Sequence, residues 1–225
     1  MTEPQEIQAV QEAITAAVKG TGDVAKQTEV LLSQISSVSA DKKPNYLRIL
    51  ANIGTKKALT AVASAYSGGD AATQKAAVNS LANWSDVSAT AELYKIGKST
   101  SDAAYLDQAV SGYVRAVNVS KQTPTQKVLM LRKSMEMAKT AAQKESILKE
   151  LVRNRTFNAL IFAGNYLDDS QLQQTAAQII LNAALANKDF QGEAVRSLVT
   201  KAMNVISNDS QIEAARKYLA EMPKG

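Results

Sequence analysis

Apolar side chains recur along this chain at the three- and four-residue spacing of helix faces. Ile7, Val10, Ile14 and Val18 form one such stripe, closed by Gly20 and Gly22. Val24, Val30, Leu31, Ile35 and Val38 form a second. After a break at Asp41 to Pro44 come Tyr46, Leu47, Leu50 and Ile53, stopped by Gly54. Ala58, Leu59, Val62 and Tyr66 follow, ended by Gly68-Gly69, and further stripes continue to Leu219. The start signals agree with the stripes. Thr2-Glu3-Pro4-Gln5, Thr123-Pro124-Thr125-Gln126 and Ser210-Gln211-Ile212-Glu213 read as capping boxes. Asp70, Asp102 and the Asp168-Asp169-Ser170 run read as N-caps. The pattern predicts about thirteen helices. Their short breaks make neighbours antiparallel.

The helices repeat. Leu50-Ala51-Asn52 returns as Leu81-Ala82-Asn83, 31 residues later. The anchors Leu50-Ala51, Leu81-Ala82, Val114-Arg115 and Leu151-Val152 stand 31, 33 and 37 residues apart. A helix pair recurring at this period marks a helical solenoid. The expected fold is all-α, a right-handed α-α superhelix of HEAT or armadillo type with about six antiparallel helix pairs. No linker or composition shift divides the chain, so a single domain over 1–225 is expected. Residues 1–40 and 190–225 would be capping helices with a polar outer face.

Composition supports this and removes several chemistries. Aromatics are 5%, and Pro (4) and Gly (10) are scarce. There is no Cys and no His, which excludes disulfides, thiolate nucleophiles, Ser-His-Asp triads and Cys or His metal sites. The net charge of +5 has interspersed signs, the pattern of a solvated helical surface. No run of 18 apolar residues suggests a membrane span. The N-terminal residues lack a signal-peptide pattern. An exported parent would therefore make this chain a mature or excised form.

A family resemblance rests on Leu50-Ala51-Asn52-Ile53-Gly54, Ala58-Leu59, Ala76-Ala77-Val78 and Leu81-Ala82-Asn83-Trp84, with Val110 to Arg115 and Leu167 to Ser170. These residues resemble a bacterial HEAT-repeat module, over roughly residues 45–185. Such modules often precede 3-keto-disaccharide hydrolase or laminarinase-like domains in Bacteroidetes and Planctomycetes. Ser85 departs from the family's usual Pro, and Asn79 or Ser111 from its Arg. The resemblance implies a non-catalytic scaffold or protein-interaction module within a larger exported, carbohydrate-active protein. Its place would be periplasmic, secreted or in the cell envelope, with cytoplasm as the alternative. A protein partner or an attached hydrolase domain is implied, and carbohydrate only through that domain.

Individual residues are read mainly as structural. Trp84, the sole Trp, is expected to pack between helix pairs, the alternative being a stacking platform for sugars or bases. Asn52, Asn83 and Asn154 suit helix ends and turns. Gly112 inside a helix calls for the close approach of a neighbour, and Arg115 for a carboxylate such as Asp86 or Asp107. Lys42, Lys43, Arg48, Lys56 and Lys57 form one basic stretch. Arg132, Lys133, Lys139, Lys144, Lys149, Arg153 and Arg155 form another. DNA-glycosylase-like HEAT proteins bind duplex DNA through such groups, so DNA binding is the alternative function. A glycosidase would need two carboxylates about 5–10 Å apart across a cleft, and a lyase a strongly perturbed Lys or Glu. The sequence indicates neither, and it holds no phosphate loop or calcium loop. No catalytic, cofactor-binding or metal-binding residue is assigned.

Overall fold

The computed structural model describes residues 3–223. The capping box expected at Thr2 lies outside them. Among the described residues there are thirteen α-helices, one short 3-10 turn and no strand. The all-α helical-repeat class read from the sequence is the class observed. The helices group into two compact units, residues 1–120 and 121–225.

The first unit holds α1 (Glu3–Gly20), α2 (Val24–Ser36), α3 (Lys43–Ile53), α4 (Lys56–Gly68), α5 (Ala71–Ala82), α6 (Thr90–Ser99) and α7 (Ala103–Val119). Helices α1, α3, α5 and α7 pack side by side in one layer. Helices α2 and α4 pack against one another and onto that layer, and α6 packs onto α5 and α7. The second unit repeats the plan. Its helices are α8 (Pro124–Ser134), α9 (Ala141–Leu151), α10 (Phe157–Gly164), α11 (Gln173–Ala186), α12 (Glu193–Met203) and α13 (Asp209–Glu221). One layer is α8, α10 and α12, and the other α9, α11 and α13. Helix α5 packs against α3, α4, α6 and α7, and helix α11 against α9, α10, α12 and α13. Their burial is accordingly nearly all round, with Ala77, Val78, Ser80, Leu81 and Ala82 buried on α5 and Ile179, Ile180, Leu181, Ala183 and Ala184 on α11.

Two-residue turns join the tightest pairs. Gly54 ends α3 in the left-handed region at φ +77°, and its N–H bonds the Leu50 carbonyl at 3.1 Å. Thr55 opens α4 by accepting from the Ala58 N–H at 3.2 Å. Gly69-Asp70 joins α4 to α5 with Gly69 in extended backbone, and Asp70 accepts from the Thr73 N–H at 2.8 Å. At the first turn a left-handed glycine followed by an N-cap stops one helix and starts the next, while at the second an extended glycine precedes the N-cap. Asp102 caps α7, and Thr123 with Gln126 forms the expected capping box of α8.

Two expected caps differ. Helix α13 starts two residues earlier than its proposed box implied, with Asn208 as N-cap accepting from the Gln211 N–H at 3.1 Å. Asp169 closes a turn by accepting from the Gln171 N–H, and α11 begins only at Gln173. Extra turn residues delay the helix there.

The repeat period reappears as hydrogen bonds between neighbouring repeats. Gln11 donates to the Asn45 carbonyl, 34 residues on. Arg115 donates to the Ala82 carbonyl, 33 residues back, and Asn187 to the Arg155 carbonyl, 32 back. Lys188 pairs with Glu221, 33 on, at 3.1 Å. A stack in which each repeat touches only its neighbours concentrates its contacts at one repeat length.

Candidate functional site

Helix α10 is the sequence anomaly of the second unit. Its eight residues, Phe157-Asn158-Ala159-Leu160-Ile161-Phe162-Ala163-Gly164, carry no charge and only one polar side chain. Ala159, Leu160 and Ala163 face the interior and are buried. That side suffices to dock a helix of two turns. Phe157 and Ile161 lie one turn apart on the other side, 43% and 37% exposed. A helix apolar on both faces is ordinarily enclosed on both, so this second face is surplus to the unit's own core.

Helix α8 supplies the facing wall. Val128, Leu131 and Ser134 point inward, while Leu129, with Arg132 one turn on, points outward and is 48% exposed. Between the two helices runs an open groove of about 620 Å³, lined by Val128, Leu129, Arg132, Met135, Glu136 and Phe157 and further along α10 by Ile161, Phe162 and Tyr166. Asn158 and Asn165 lie at its polar edge. Phe162 and Tyr166 meet edge to face, ring centres 5.4 Å apart, and Phe157 does the same with Phe190 at 5.5 Å. These contacts engage all three phenylalanines of the chain. Burial pushes the Tyr166 hydroxyl above its usual pKa, so it remains a neutral donor and acceptor at physiological pH. Arg132 enters none of the ion pairs among the described residues.

No family model matches this chain, and no curated protein is significantly similar to it.

Charge is divided unequally between the units. Residues 1–120 hold 11 Lys and Arg against 11 Asp and Glu. Residues 121–225 hold 15 against 10, so the whole excess of +5 lies in the second unit. Within 121–155 the count is nine against three.

Two other grooves are lesser candidates. One, of about 290 Å³, lies between α1 and α3 and is lined by Ile7, Val10, Ile14, Tyr46 and Ile49. Val10, expected on a buried face, is 57% exposed there, because Gln11, Thr15 and Val18 supply the side of α1 that packs inward. The other groove, of about 600 Å³ beside α4, is lined by Thr60, Ser64 and Ser67 with Lys56 and Glu92.

Four of the residues singled out in the sequence sit in packing or hydrogen-bonding positions. Trp84 is fully buried, as expected of a packing residue. Asn83 and Asn154 each donate to the carbonyl four residues back, at 2.9 Å, closing the last turn of a helix. Arg115 takes carbonyls where a carboxylate was expected. It donates to the Ala82 carbonyl from Nε at 3.0 Å and from a terminal nitrogen at 2.9 Å, and also to the Trp84 carbonyl. Those are carbonyls at the C-terminal end of α5, where a cation is favoured by the helix dipole. Among the described residues no three His, Cys, Asp or Glu side chains come together to hold a metal, and no helix is long and apolar enough to cross a membrane. The α10 face was missed in the sequence, although an eight-residue helix without charge was its visible signal.

Proposed function

We propose that this chain is a non-catalytic interaction module built of helical repeats, and that the groove between α8 and α10 is a docking face. The supporting observation is the second apolar face of α10, where Phe157 and Ile161 stand exposed opposite Leu129. Apolar surface of this kind, rimmed by polar side chains, characterises interaction sites. Both walls are helices anchored in the unit's core, so a partner would meet a preorganised surface at little ordering cost. Following the HEAT-module resemblance, the module would be one arm of a larger exported, carbohydrate-active protein, any hydrolytic chemistry belonging to the attached domain.

A photo-cross-linking side chain placed at Ile161, with Thr200 on α12 as control, tests the docking face in source cells. A discrete adduct at 161 and none at 200 is expected, while equal or no labelling would overturn the reading. Fractionated extracts blotted for this chain test its setting. An envelope band well above 24 kDa is expected, and a cytoplasmic band at that mass would overturn the exported-arm proposal.

The charge excess of the second unit favours a second reading, binding of duplex DNA. Its mark would be affinity falling steeply with salt, as cations are released from the phosphates. Weak or salt-insensitive binding would remove it.

A further inference from the structure

This inference rests on the docking reading above and concerns the chemistry of the partner. Helix α8 carries Lys127, Arg132 and Lys133 and no acid. Helix α10 carries no charge and is led in by Arg153 and Arg155. Glu136 is the one acidic side chain lining the groove. The groove is therefore an apolar trough lined by Arg132 and Glu136, whose α8 wall belongs to a strongly basic stretch and whose α10 wall is uncharged. We propose that it receives an acidic amphipathic helix of a protein partner. The apolar side chains of that helix seat on Leu129, Phe157 and Ile161, and its Asp or Glu side chains meet Arg132 and the cations beside it.

Three physical points select this occupant. The walls are largely aliphatic and aromatic, so an extended segment would lay unpaired backbone groups against surface that cannot bond them. A helix satisfies its own backbone. The 11 residues of α8 give a trough about 16 Å long, the reach of about three turns. Nucleic acid fits less well, because Val128, Leu129 and Ile161 offer phosphates nothing. Base stacking also needs exposed rings in series, whereas Phe157 is already in edge contact with Phe190.

The test selects displayed random peptides of about 15 residues against the full chain at near-physiological salt. Individual binders are then titrated by fluorescence anisotropy against wild type, Ile161→Asp, Leu129→Asp and Arg132→Glu. All three substituted positions are exposed, and unchanged circular dichroism and melting would establish that the variants fold. Selected sequences should be rich in Asp and Glu, with apolar residues at i, i+3 or i+4, and i+7. Ile161→Asp and Leu129→Asp should each weaken binding about tenfold or more. Arg132→Glu should weaken acidic peptides and strengthen their Lys-substituted versions.

Binders without acidic bias that still depend on Ile161 would overturn the acidic partner and leave the docking groove standing. Binders indifferent to Ile161 and Leu129 would overturn the groove itself. A short DNA duplex that displaces the peptides, and whose own binding is lost in Arg132→Glu, would assign the basic strip to nucleic acid and overturn the proposal.

Discussion

A Cβ on Gly112 would lie 2.4 Å from the Cα of Ala82 and 2.6 Å from its Cβ. Gly112 sits inside α7 and Ala82 at the end of α5, so the two helices touch backbone to backbone where one repeat meets the next. Replacing Gly112 by Ala should gain about 1 kcal/mol in helix propensity. It must also push α7 away from a backbone that cannot yield as a flexible side chain would, which costs about 1–3 kcal/mol in packing. The obstacle is backbone, so the cost should fall at the upper end of that range. The expected result is a net loss of about 1–2 kcal/mol, read as a lower urea midpoint. Equal or higher stability would show that α5 and α7 are not in direct contact.

One turn after Gly112, Arg115 reaches the carbonyls of Ala82 and Trp84. The close approach at Gly112 brings those carbonyls within range of the guanidinium. Arg115→Ala should cost about 1.5–3 kcal/mol, the range for hydrogen bonds to a charged group. Arg115→Lys should recover only part of this, because an ammonium cannot span two carbonyls in one plane. Chemical denaturation of the three proteins checks the order Arg above Lys above Ala. A lysine variant as stable as wild type would mean that charge alone serves.

The class of fold was legible because it is written twice, in the helical stripes and in the recurrence of Leu-Ala-Asn. The turn chemistry at Gly54, Asp70, Asp102 and Thr123 was legible because caps are local. The partner of Arg115 was not, since a carbonyl leaves no mark in the side-chain sequence and a carboxylate does. The exposed face of Val10 was misread for a related reason. In a two-layer stack an apolar stripe can be wider than the buried contact, and only the neighbouring helix decides which part is covered. The α10 face was hidden in plain composition. Leu160 and Ile161 are adjacent in sequence and look alike, yet one is fully buried and the other 37% exposed.

Trp84 is fully buried, and its indole Nε1 has no hydrogen-bond partner among the described residues. A buried unpaired N–H carries a penalty of about 1–3 kcal/mol. Trp84→Phe removes that donor while keeping most of the ring, so the lost volume and the relieved penalty should offset to within about 1.5 kcal/mol. Trp84→Ala has no such compensation and should cost about 3–5 kcal/mol. Thermal melts of both variants separate the two effects. A phenylalanine variant as damaged as the alanine one would show that the indole N–H is in fact bonded, for instance to a buried water.

Asp70 holds the start of α5 through the Thr73 backbone N–H, and this bond keeps its carboxyl below the ordinary value of 3.8. Asp41 is lowered too, first by its hydrogen bond with the Ser39 side chain. A carboxyl whose pKa is lower in the folded state binds protons more readily when unfolded. Its contribution is therefore complete above the unfolded pKa and is lost as pH falls through that value to the folded pKa. Melting temperature should accordingly be flat from about pH 6 to about pH 5 and fall below it. Asp70→Asn keeps the cap acceptor without the titrating charge, so the acid-side fall should become shallower, the remainder belonging to Asp41 and other carboxyls. Asp70→Ala should lower the melting temperature at neutral pH as well, because the Thr73 N–H then loses its acceptor. An Asn variant with an unchanged acid slope would show that the cap bond, although present, is not what couples this helix to pH.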